Sequence, residues 1–190
     1  MAVLAVRGLI FCLLFALFTA NARAAGQREY AEYVGSQVCA DCHADAYRAW
    51  QGSHHELAMQ PANSQNLIAD FTLPSPAIAG SATSIQKTPG GATITDGDGP
   101  ARAVQFTFGV TPLRQYLVDV GDGRLQGHAL AWDARAASAG GQRWFDLTPG
   151  VASRDDALHW QGPAQSRNFM CADCHSTAVR KGYDTATRRY

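Results

Sequence analysis

Four of the five cysteines in this 190-residue chain fall in two copies of one pentapeptide. These are Cys39-Ala40-Asp41-Cys42-His43 and Cys171-Ala172-Asp173-Cys174-His175. Two thiols three positions apart can each add to one vinyl group of a porphyrin, forming two thioether bonds. The imidazole of the next residue then meets the iron from the proximal side, so C-x-x-C-H is the sequence signal for covalent c-type haem attachment. The expectation is two molecules of haem c in this chain, with His43 and His175 as the proximal iron ligands. Three other uses of the cysteines compete with it. A thioredoxin-type redox pair needs a βαβ context, and nothing here alternates that way. A zinc site built from all four thiolates would have to join two pairs that are far apart, with the following histidine coincidental in both. Two small structural disulfides are the third alternative. The complete motif, occurring twice, favours haem.

The fifth cysteine, Cys12, lies in an N-terminal leader. Residues 1–7 carry one positive charge and residues 8–20 are largely apolar. Small residues follow, with A-x-A patterns at Ala20-Asn21-Ala22 and Ala22-Arg23-Ala24. This is the composition of a secretory signal peptide, and the apolar run is shorter than the ~20 residues a membrane span needs. Residues 1–24 are read as the signal peptide, with cleavage after Ala22 or Ala24. Residues 25–190 are read as one domain in the periplasm or otherwise exported, with no membrane span after cleavage. An uncleaved anchor is the alternative. The mature chain then keeps an even number of cysteines in an oxidising compartment.

Charge narrows the class further. Sixteen Lys and Arg balance sixteen Asp and Glu, and loss of Arg7 and Arg23 with the leader leaves the mature chain slightly acidic. That balance excludes a nucleic-acid binder working by phosphate neutralisation, and it excludes an acidic disordered tail. A chain of this length is one modest domain, and covered porphyrin surface would add to the apolar area it can bury.

Residues 30–59 read as a haem-binding helical segment. Val38, Tyr47, Trp50, His54 and Leu57 recur at spacings of three and four, with a break at Gly52-Ser53. Residues 61–91 read as loops with at most short strands. The middle is β-like: residues 103–110 alternate, and residues 115–120 and 124–132 flank Gly121-Asp122-Gly123 as a hairpin. Residues 142–147 add a strand in which Trp144 and Phe145 pack. From Arg154 onward the chain reads as helix and loop. The fold class expected is α+β, with haem segments flanking a small antiparallel β region.

Several of these residues carry a family resemblance. Tyr33-Val34-Gly35-Ser36, then Trp50-x-x-Ser53-x-His55-x-x-Ala58-Met59, resemble the cytochrome c-552/c-554 type of multihaem domain. Phe108-Gly109-Val110, Gln115-Tyr116-Leu117, Ala131-Trp132-Asp133, Gly141 to Phe145, His159-Trp160 and Met170 resemble exported multihaem cytochromes that carry tetratricopeptide repeats downstream. The resemblance implies a multihaem cytochrome domain over roughly residues 30–190. Members usually carry a further C-x-x-C-H soon after this point, so the chain is expected to be the N-terminal part of a larger protein. His128 departs from the pattern, falling where the family tends to have an apolar residue.

The function expected is single-electron transfer between redox partner proteins, or with other haems of a longer chain. No nucleophile–base constellation is present. The alternative is a haem-containing subunit or domain of a multihaem reductase or oxidase with one open iron site; a haem-free module using the cysteines structurally or for zinc is the third. The distal ligands separate carrier from enzyme. His54, His55 and His159 are the candidates, Met59 and Met170 the weaker ones, and the family's Ser-x-His pattern singles out His55. On a continuous helix His55 would lie about 18 Å along the axis from His43, at ~1.5 Å per residue. Two imidazoles on one iron bring their nitrogens within roughly 4 Å, so one straight helix cannot supply both. Either the chain reverses at Gly52-Ser53 or His55 serves a neighbouring haem; the second is favoured.

Overall fold

The computed structural model describes residues 32–190. The expected signal peptide and residues 25–31 lie outside the described residues. The chain divides into two compact units, Met1–Val38 and Cys39–Tyr190. The described part of the first is an irregular, exposed stretch entering the 3-10 turn Ser36–Asp41.

In the second unit, helix α1 spans Ala44–Trp50. Its half-buried positions, Tyr47 and Trp50, are one turn apart, and their rings lie 5.8 Å from each other. The expected helical face does not continue beyond them. Gly52 adopts φ +68°, which a residue with a Cβ resists, and the Gly52 N–H donates to the Glu56 carboxylate. The chain turns there into the 3-10 turn Glu56–Ala58, so His54 and Leu57 leave the helix on which Tyr47 and Trp50 sit.

Among the described residues, seven strands form one antiparallel sheet: β1 Met59–Pro61, β2 Thr83–Thr88, β3 Gly91–Asp96, β4 Arg102–Phe108, β5 Leu113–Asp119, β6 Leu125–Asp133 and β7 Arg143–Asp146. The path runs β2-β3-β4-β5-β6-β7, and β1 pairs separately with β4. On β4, residues 102 and 103 pair with β3, while residues 106–108 pair with β1. The segment from the first motif thus takes over the pairing of β4 beyond β3.

The class is α+β, as expected, but the sheet is larger and the helices shorter than the sequence suggested. The expected strands over 103–110, 115–120, 124–132 and 142–147 all form, within a few residues. Gly121, Asp122 and Gly123 all take positive φ in the β5–β6 hairpin. Residues 61–91, expected as loops with at most short strands, hold β2, which pairs with β3 in a hairpin. Ile85 pairs with Ile94 across it and both are buried, so two apolar residues anchor an otherwise polar ribbon. The core stands on the sheet around Tyr116, Trp132 and Trp144. Trp144 meets Trp132 edge-on at 5.0 Å and donates its indole N–H to the Asp70 carbonyl at 2.9 Å. Its role is packing, as expected. Among the described residues no helix is long and apolar enough to cross a membrane.

Candidate haem sites

The first motif lies in the turn that precedes α1, whereas the second forms a short helix of its own. At the first, the His43 N–H donates to the Cys39 carbonyl at 2.8 Å and His43 caps α1. At the second, a π-helical turn, Arg167–Cys171, runs into helix α2, Ala172–His175. The Ser176 N–H closes that helix on the Ala172 carbonyl at 3.0 Å. All four thiols are free; Cys39, Cys42 and Cys174 are exposed and Cys171 is half-buried. Burial pushes the Cys171 thiol above its ordinary value against the opposing pull of the Arg167 charge. The four sulfurs do not converge on a zinc site: among the described residues no three His, Cys, Asp or Glu side chains are grouped to hold a metal ion.

The second motif borders an open cleft of about 530 Å³, within the ~300–1,000 Å³ usual for cofactor sites. Cys174 and His175 line it from α2, Trp50 from α1, His55 and Met59 from the turn and strand that follow, and Phe106 from β4. The sheet explains how these meet. Met59 opposes Phe108, and Pro61 opposes Phe106, in the β1–β4 pair. The Phe108 ring packs edge-on against the His175 imidazole, with centroids 5.5 Å apart. That contact restrains the orientation of the His175 ring. The donors on the cleft suit haem: the Cys174 thiol, the His175 imidazole and a second imidazole, His55, with the Cys171 thiol next to the lining residues in sequence rather than among them.

The other sequence candidates go elsewhere. His54 is exposed and does not line the cleft; Met170 is exposed beside Cys171. His159 lines a different cleft, of about 240 Å³, together with Asp96, Asp98 and Arg154. Burial, with the Arg154 charge, holds its imidazole below the usual histidine range. His128 is fully buried and both its nitrogens are engaged. Its Nδ1 accepts the Leu130 N–H at 3.0 Å, so the proton sits on Nε2, which donates to Asp96 Oδ2 at 3.0 Å. His128 is a core residue, its ring tilted against that of Trp160 with centroids 4.4 Å apart. Burial raises the Asp96 carboxyl, but hydrogen bonds from His128 and Thr83 more than offset it and hold the group below the usual carboxylate range.

The sequence profile of the family described as cytochrome c554 and c-prime matches residues 38–94. The match supports a c-type cytochrome. It covers the first motif, α1 and the chain through most of β3, and stops well before the second motif. No curated protein and no solved structure matches the chain. Two residues beside the second motif were not singled out from the sequence as site residues, Arg167 and Ser176. Neither carries a spacing signal: Ser176 meets Met59, 117 residues away in sequence, and Arg167 acts on Ser176.

Proposed function

We propose that this chain is an exported cytochrome that binds two haems c covalently, at Cys39/Cys42 and Cys171/Cys174, and passes single electrons between redox partner proteins. The observation that carries the reading is the repeated C-x-x-C-H, with its second copy on a cleft that also receives His55. Bound haem supplies a one-electron Fe(III)/Fe(II) couple, whose potential the axial ligands and burial set. The chain's residues hold the iron and tune it. His43 and His175 would hold the two irons, and Phe108 packs against the second imidazole. His55, on the same cleft as His175, would hold the second iron as well, which would tie the segment after the first motif to the second motif. A filled sixth position suits a carrier, because an enzyme needs an open one. The leader over residues 1–24 supports export, where covalent attachment retains the cofactor. In a longer chain, further haems would extend the electron path.

Redox titration of protein matured by a cytochrome c assembly system tests this function. Two reversible one-electron waves per chain, and no carbon monoxide uptake by the reduced protein, are expected. Stoichiometric carbon monoxide binding would replace the carrier with the reductase or oxidase reading.

A further inference from the structure

The second cleft holds two side chains able to ligate iron besides His175, and they lie four positions apart: His55 and Met59. We propose that Ser176 is a positioning residue that decides between them, keeping the Met59 thioether in the cleft wall so that His55 is the distal ligand. The inference rests on the haem reading of the second motif.

The Ser176 hydroxyl has one proton, and its Oγ lies 3.4 Å from Met59 Sδ, to which it donates. Arg167 Nη2 donates to the same Oγ at 3.0 Å. That bond occupies an acceptor site of the hydroxyl and leaves its proton for the sulfur. Both Arg167 and Ser176 belong to the motif segment, at the start of the π-helical turn and just past α2. The Ser176 backbone is itself tied to Ala172. Met59 is held from its other side by the β1–β4 pairing opposite Phe108, the residue that packs on the His175 ring. Its sulfur is therefore fixed beside the proximal segment. His55, before the 3-10 turn, is exposed at the cleft. Hydrogen bonds outside the ligand sphere orient and select ligands in metal sites generally. Here the consequence is a potential, because methionine ligation raises it relative to two histidines.

The test uses the full chain with haem loaded, comparing wild type, Ser176→Ala, Ser176→Thr, Met59→Leu and the Ser176→Ala/Met59→Leu double variant. Wild type, Ser176→Thr and Met59→Leu should show low-spin haem with nitrogen ligands only. In Ser176→Ala one haem should acquire a sulfur-to-iron charge-transfer band. Its reduction equilibrium should move about tenfold toward the ferrous form, or about 59 mV for one electron. The double variant should lose both changes. An unchanged band and potential in Ser176→Ala carrying two haems overturns the proposal, as does a sulfur-to-iron band in wild type that Met59→Leu removes. A mass showing no haem at Cys171 and Cys174 overturns the haem reading, and this inference with it.

Discussion

Replacing Asp96 by alanine should destabilise the fold through a histidine 32 residues away in sequence. The His128 side chain is fully buried, while that of Asp96 is 20% exposed. Removing the carboxylate therefore leaves the Nε2–H of His128 without its acceptor, at the inner edge of the cleft that Asp96 lines. A buried donor left unmade costs about 1–3 kcal/mol. Nδ1 offers no escape, since it is already the acceptor for Leu130. The second bond to the carboxylate, from the Thr83 hydroxyl at 2.6 Å, is cheaper to lose, because that hydroxyl also lies 3.3 Å from the Ser81 carbonyl. Together the loss is about 2–3 kcal/mol. For a domain of this size that lowers Tm by about 4–12 °C, at ~2–4 °C per kcal/mol. Asp96→Asn keeps one oxygen for His128 and should cost about 1 kcal/mol, a single net hydrogen bond. Urea titration of the haem-loaded chain, followed by far-ultraviolet circular dichroism, reads both. An Asp96→Ala variant within ~0.5 kcal/mol of wild type, the spread of an ordinary surface change, would refute the reasoning.

His55→Ala should convert one of two haems from low-spin to partly high-spin, seen in the visible spectrum, while His54→Ala leaves both unchanged. Trp144→Ala removes the ring that Trp132, Tyr116 and Phe71 pack against. It should cost about 3–5 kcal/mol by denaturant titration. Asp133 is held down to about 2 by its hydrogen bonds with Arg135, from an ordinary value of 3.8. Its folded value is the lower one, so the pair adds stability above about pH 4, which is lost as pH falls through about 2. Arg135→Gln should flatten the fall of Tm over that range, and an unchanged acid limb would show that the pair does not contribute.

What the sequence made legible follows from how local each signal is. C-x-x-C-H is complete within five residues, and Gly121-Asp122-Gly123 marks its hairpin without help from the rest of the chain. The strands around it alternate strongly enough to be read singly. The β2–β3 ribbon was missed because Thr, Ser and Gly dominate it, and only the Ile85–Ile94 pair, across the turn, shows it to be a strand pair. The helical period through residues 30–59 was real over Tyr47 and Trp50, but Gly52 ended it sooner than the pattern implied. That His55 shares a cleft with His175 is a long-range fact: it depends on β1 pairing with β4, and a three-residue strand gives little pattern to read. His128 shows the opposite limit. One histidine in a sequence does not disclose that both its nitrogens are already used.

The central claim is that both motifs carry covalent haem on one chain. Intact mass spectrometry of the secreted, matured protein, with a pyridine haemochrome spectrum on the same sample, tests it most directly. The account predicts the mass of the chain cleaved after Ala22 or Ala24 plus two haems, with a haemochrome band typical of thioether-linked haem. A mass equal to the polypeptide alone, or to the polypeptide with a single haem, would contradict it.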